Sequence, residues 1–330
     1  MVNVSTSDNT VELKKVRKPG KFMSALAGQK GYVYLLPALI LLAVFTFYPI
    51  VNTLIYAFKN NYVGMTGKFD GWGIQNFIKV LNFPDFTKAL TNTMLFAFIS
   101  VPVSTLLALM ISVWLNNIKW LQKAYQTIFF LPYLTNAIAI GAVFMAMFNV
   151  VSLQNNVENA QSLGLINSII KACGGTPILW VNPGASLWAQ RTVILLQSIW
   201  SALPFKILIL FSALQSVNKQ YYDAAKIDGA GKTKTLWRVT VPLISPMISY
   251  LVITGFMGGF KEYSTVVGIF GSNMGANKGE MQTMVGFIYQ MIGEQGGRIG
   301  IASAGALILF GIIMIFTAIN FFVSKKRVHY

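Results

Sequence analysis

The chain has 330 residues, of which 55% are hydrophobic and only 11% charged; a soluble protein carries about a quarter charged residues, so a soluble domain is excluded. The apolar residues gather in blocks close to the roughly 20 residues that cross a bilayer, and the expected class is an all-α integral membrane protein with six transmembrane helices. One cysteine, Cys173, and one histidine, His329, exclude an internal disulfide, a Cys-rich zinc site, an iron–sulfur cluster and a Ser-His-Asp triad, and no metal site is expected.

Residues 1–31 make a polar, basic tail. Its run Lys14-Lys15-Val16-Arg17-Lys18 is expected to lie on the anionic lipid of the inner leaflet, and nucleic-acid binding is set aside beside six spans. The first span, 32–58, carries Tyr48-Pro49 and is too long for a cleavable signal peptide. An external loop, 59–92, holds the turn signals Asn60-Asn61 and Gly71-Trp72-Gly73. Residues 93–324 form a five-helix core with spans at 93–115, 125–148, 193–214, 243–260 and 301–323. Pro102 is expected to kink the first of these. The external loop 149–190 holds a surface helix through 165–172, and 325–330 is a second short tail. With both termini cytosolic, inside segments carry 16 of the 26 Lys and Arg residues and external loops 9, with Lys206 inside a span. The positive-inside rule selects this orientation, so the net charge of +16 is a topology signal.

The polar segment 216–242 lies between two apolar blocks on the cytosolic side. Within it Gly229-Ala230-Gly231-Lys232-Thr233 has the look of a phosphate-binding loop. Such a loop needs an earlier glycine so that backbone amides can wrap the phosphates. Lys226 stands at that position, and no apolar strand precedes it. Nucleotide binding by this chain is rejected, and any energy source belongs to a partner.

Read as Asp223-Ala224-Ala225, Asp228-Gly229-Ala230 and Val241-Pro242, the same segment resembles the EAA loop of the membrane subunits of binding-protein-dependent ABC importers. Asp223 replaces the usual Glu and keeps its charge on a shorter arm. Further motifs recur in order: Leu36-Pro37 and Tyr48-Pro49, Gly73-Ile74-Gln75-Asn76-Phe77, Phe130-Leu131-Pro132, Gly164-Leu165-Ile166-Asn167, Trp200 with Pro204-Phe205, and Gly300-Ile301-Ala302-Ser303-Ala304. Together they resemble the carbohydrate-uptake subfamily. One departure is GSNMGANKG at 271–279, where that subfamily often has a Gly-Gly-Pro turn. The resemblance implies the ABC type I importer permease fold and no enzymatic activity in this chain. It implies four kinds of partner: a second homologous permease subunit, two ATPase subunits holding Mg-ATP, an extracellular sugar-binding protein, and the lipid of a prokaryotic plasma membrane. Asp223, Ala224, Ala225, Asp228, Gly229 and Ala230 would then couple the spans to the ATPase.

A sugar site wants aromatic faces, amides and a few charges. The candidates are Asn136 in the third span, Gln197 in the fourth, and Phe260, Glu262 and Tyr263 at the outer end of the fifth. Helix-linking amides and lipid-belt aromatics are the plain alternatives. Lys206, about 13 Å by helical rise from the inner end of its span, is expected at a gate or helix-packing contact. Glycerol-phosphate or an acidic oligosaccharide is the alternative substrate, with Lys171, Lys261 and Arg298 helping outside. An ATP-independent channel or secondary transporter is the alternative class.

Overall fold

Prolines and glycines decide where the apolar stretches of this chain stop, bend and cross. A computed structural model describes residues 34–118, 127–128, 131–152, 160–293 and 297–327. The basic tail 1–31, Phe129-Phe130 and His329 lie outside the described residues. The chain divides into two units, Met1–Thr53 and Leu54–Tyr330.

Helix α1 (Tyr34–Phe58) begins in the first unit and ends in the second. Pro49 has no N–H to offer the carbonyl four residues back. A π turn at Ala43–Phe47 takes up the mismatch, with the Tyr48 N–H donating to the Ala43 carbonyl. At the end of α1, Asn76 of α2 (Gln75–Leu81) serves as the cap. Its Nδ2 donates to the carbonyls of Ala57 at 3.0 Å and Lys59 at 2.7 Å, and its Oδ1 accepts from the Asn61 N–H at 3.1 Å. A Cβ on Gly300 would sit 2.8 Å from that Nδ2. The motifs at 73–77 and 300–304 are therefore two halves of one packing contact.

Helix α3 (Pro84–Asn117) runs for 34 residues with Pro102 inside it. A 3-10 turn at Leu131–Leu134 then leads to α4 (Ala137–Phe148). Here the expected continuous span 125–148 is corrected. Asn136 has extended backbone (φ −61, ψ 130) and caps α4 through its side chain, so the helix cannot run back through it. Twelve residues reach only about 18 Å, short of a bilayer core. After α4, β1 (Val151–Ser152) pairs antiparallel with β2 (Ala160–Ser162), a small exception to the all-helical expectation. Helix α5 (Gly164–Ala172) follows, close to the expected surface helix.

Helix α6 (Leu187–Ser216) is 30 residues long and contains Pro204. It packs along α3 more extensively than any other pair of helices among the described residues. Helices α7 (Lys219–Ile227) and α8 (Lys232–Leu243) make up the polar segment. A second π turn, Leu236–Thr240, stands just before Pro242 as the first stands before Pro49. A bend of 71° at Ile244 then opens α9 (Ser245–Gly259). The remainder is α10 (Ser264–Phe270), α11 (Met284–Gly293) and α12 (Ile299–Arg327).

Among the described residues four helices, α1, α3, α6 and α12, are long and apolar enough to cross a membrane, or five if α8 and α9 are one broken span. The six continuous spans of the sequence reading are thus not all formed. Small residues set the closest approaches: α4 meets α10 at Gly141 and Gly268, where a Cβ on Gly141 would lie 2.5 Å from the Gly268 Cα. Likewise a Cβ on Gly259 of α9 would lie 3.1 Å from Ala97 of α3.

Candidate functional site

Two places concentrate polar chemistry, and α9 connects them. The first is the 216–242 segment. Asn218 starts α7 by accepting the Gln220 N–H on its Oδ1 at 3.0 Å. Gly229 ends it at φ +68. There the Gly229 N–H donates to the Lys226 carbonyl at 3.0 Å and the Ala230 N–H to the Ala225 carbonyl at 2.9 Å, a complete Schellman turn. Ala225 faces inward and is buried, while Ala224, Asp228 and Asp223 are exposed. Asp223 lies 3.6 Å from Lys226 in a surface pair, which contributes little to stability. Ile227 is 87% exposed and Tyr221 is also exposed. Both are large apolar side chains left exposed on a polar helix. The sequence reading missed them, although apolar side chains beside the Asp223-Ala224-Ala225 triplet were the available signal.

The second place is a cavity of about 370 Å³ between α3, α6 and α9. Hydroxyls line two of its walls: Ser100 and Ser104 from α3, Ser198 and Ser201 from α6. Gly255, Gly258 and Gly259 of α9 supply a wall of bare backbone, with Thr254, Glu262 and Thr265 beside it. Tyr133 closes one side, its ring stacked on Phe205 at 5.7 Å. Lys206 is 5% exposed and ties α6 to α3. Its Nζ donates to the Val101 carbonyl at 3.1 Å, to Ser104 Oγ at 2.7 Å and to Thr105 Oγ1 at 2.8 Å. Among the described residues, the buried hydroxyl oxygens of Ser198 and Ser201 have no hydrogen-bond partner. Leaving such groups unpaired costs about 1–3 kcal/mol each, which a polar occupant of the cavity can offset.

Residues 101–329 match the family described as binding-protein-dependent transport system inner membrane component. The chain belongs to that family. This permease is 27% identical to the lactose transport system permease protein LacF of Rhizobium radiobacter, over 90% of this chain and 94% of that protein. It is 28% identical to the arabinooligosaccharides transport system permease protein AraP of Bacillus subtilis (strain 168), over 88% of this chain and 86% of that one. A solved bacterial alginate ABC transporter, in complex with an alginate pentasaccharide-bound periplasmic protein, has a similar fold. The TM-score is 0.74 at 22% identity, over 93% of this chain and 98% of that chain.

The permease brings some of the expected pathway residues together and separates others. Glu262 lines the cavity and accepts the Thr265 N–H at 3.1 Å. Gln197 is fully buried next to that wall, where its Nε2 donates to the Ala137 carbonyl at 3.2 Å. Phe260 is 1% exposed and packs against Phe98 and Phe316, away from the cavity. Tyr263 stacks on Tyr289 at 4.7 Å, and Asn136 is spent as the α4 cap. Ser100, Ser104, Ser198 and Ser201 were missed. Their i, i+4 and i, i+3 spacing on apolar helices puts each pair on one face, which was the readable signal.

The departure at 271–279 also has a structure. Gln190 of α6 donates from Nε2 to Glu280 Oε2 at 2.7 Å and accepts the Ala276 N–H at 2.8 Å. Asn92 of α3 donates to the carbonyls of Glu280 at 2.9 Å and Gln282 at 3.0 Å, and accepts from Arg191 at 3.3 Å. The loop is clasped to α3 and α6 together. Burial pushes the Glu280 carboxyl up, but hydrogen bonds from Asn277 and Gln190 and the charge of Lys88 outweigh it and hold it below its ordinary value.

Proposed function

We propose that this permease imports sugars, principally oligosaccharides, by alternating access, driven by ATP hydrolysis in separate subunits. The observation that carries the reading is the hydroxyl-lined cavity between α3, α6 and α9. A hydroxyl-rich cargo exchanges hydrogen bonds with Ser100, Ser104, Ser198 and Ser201, and Glu262 and Lys206 on the same lining add the few charged partners that a sugar site uses. The transport-system names of LacF and AraP support the same substrate class.

In this reading the 216–242 segment faces the cytosol and docks on an ATPase subunit that binds Mg-ATP. Asp223, Ala224, Ala225, Asp228, Gly229 and Ala230 form the contact, with Tyr221 and Ile227 covered by it. Motion of α7 passes to α8, around the bend at Ile244 and into α9, whose glycines wall the cavity. Lys206 acts as the gate tie between α6 and α3. A second related permease subunit, two ATPases and an external sugar-binding protein complete the assembly in a prokaryotic plasma membrane. Work is done because ATP-bound and ATP-free states differ in their affinity for cargo, not by covalent chemistry in this chain.

Proteoliposomes provide the test. Labelled oligosaccharide uptake should require ATP, the ATPase and the binding protein together. Steady sugar flux through this chain alone would sink the importer reading in favour of a channel or secondary transporter.

A further inference from the structure

A second pocket, of about 370 Å³, lies behind the coupling segment. Its upper wall carries Lys226 and Lys232 with the hydroxyls of Tyr222 and Thr235, and the α3 end contributes Asn116 and Asn117. Its floor is apolar: Val113, Leu214 and Leu236. Among the described residues no carboxylate lines it. Lys234 and Arg238 stand on the same segment, so four basic residues lie between 226 and 238 against the single acid Asp228.

The depth of the pocket is marked by tryptophan. Trp114 and Trp237 are next in sequence to the lining residues Val113 and Leu236, and are 57% and 53% exposed. Exposed tryptophan at a span end sits at headgroup level. A basic pocket between span ends, with an apolar floor at that depth, matches the amphiphilic shape of a phospholipid headgroup and its glycerol. The pocket also takes in Ala230 and Lys232 of the phosphate-loop lookalike.

We propose that this pocket binds the phosphate headgroup of an anionic membrane phospholipid, with Lys226 and Lys232 on the phosphate and the glycerol against Val113, Leu214 and Leu236. Only the choice of the inner leaflet rests on the topology proposed above. The site makes the lipid a wedge between the coupling segment and the ends of α3 and α6. Lys226 is shared with Asp223 at 3.6 Å, so a bound phosphate competes with that pair.

Binding is read on the full chain in detergent by native mass spectrometry, independently of transport, so its failure is separable from failure of the importer reading. Phosphatidylglycerol should be retained at least about tenfold better than phosphatidylcholine. The K226Q/K232Q pair should lose about tenfold of that binding, while K234Q/R238Q, with the same charge removed outside the pocket, should lose less than about threefold. On the unaltered chain, phosphatidylglycerol should protect Lys226 and Lys232, but not Lys234, from acetylation, which keeps the proposal testable if a variant misfolds. Equal losses in the two double variants, or uniform protection of the lysines, would overturn it in favour of diffuse surface attraction. Glycerol 3-phosphate binding as tightly as phosphatidylglycerol would overturn it in favour of a free-anion site.

Discussion

Gly229 has open space where a Cβ would stand, so its requirement is for backbone and not for room. At φ +68 a β-branched residue costs about 1–2 kcal/mol. Gly229→Val should therefore fray the end of α7 while leaving the chain in the membrane, and ATP-driven sugar uptake should fall about tenfold. Uptake equal to wild type would show that the turn does not couple. This turn was legible because its cause is local: a helix-prone run, then Asp-Gly. Lys206 was legible only as an anomaly, since its partners Val101, Ser104 and Thr105 lie a hundred residues earlier in the chain. Those partners change what its removal should do. Ser104 also donates to the Ser100 carbonyl at 2.5 Å and Thr105 to the Val101 carbonyl at 2.7 Å, so neither hydroxyl is orphaned. Membrane-interior hydrogen bonds average about 0.6 kcal/mol. Lys206→Met should thus shift the melting temperature by no more than about 3 °C yet abolish uptake, checked by thermal unfolding in detergent beside a transport assay. A large loss of stability would make Lys206 a packing residue.

Helices tell a different story about legibility. The long apolar runs of α3, α6 and α12 were readable from hydropathy, but their polar extensions, such as 84–92 ahead of the expected second span, were not. Packing holds those turns helical, as with Phe86 and Ala89 buried in the core. The break in the third span was readable in principle from Pro132 and from Asn136 ahead of an apolar run. The crossing of α4 on α10 was not, because nothing local distinguishes Gly141 from other glycines. A leucine there has no space, since even a Cβ falls 2.5 Å from backbone. Gly141→Leu should cost roughly 1–3 kcal/mol or more and lower the melting temperature by several degrees. The 271–283 loop adds a pH prediction. Glu280 is held below its ordinary value, so the clasp gains stability above that value and loses it as pH falls through the lower, folded one. Hydrogen exchange at the Ala276 amide, bonded to Gln190, should be slow near neutrality and quicken selectively once pH falls below the ordinary glutamate value.

Across the whole molecule, the cavity is bounded by three helices of which the sequence reading placed every one, yet the cavity itself was not foreseen. Its polar lining is dispersed over 166 positions of sequence, from Ser100 to Thr265, and no single helix shows it. Hydroxyl removal gives the prediction at this scale. The S198A/S201A variant should keep ATPase stimulation but weaken cargo retention, raising the half-saturating sugar concentration about tenfold if each lost bond is worth about 0.7 kcal/mol. Unchanged half-saturation would place the cargo elsewhere.

The glycine-on-glycine crossing of α4 and α10 bears on how such a permease can diversify. Backbone pressed on backbone offers selection no side chain to vary, so that joint is frozen against gradual change. Ser198 and Ser201 of α6 carry no comparable constraint, because among the described residues their hydroxyls hold no hydrogen bond that an exchange would break, unlike Ser104, which holds Lys206. New diets can be explored by drift along that α6 face while the joint holds the frame. Lineages that share this architecture should therefore differ most in their cargo at the positions of Ser198 and Ser201, and least at the positions of Gly141 and Gly268.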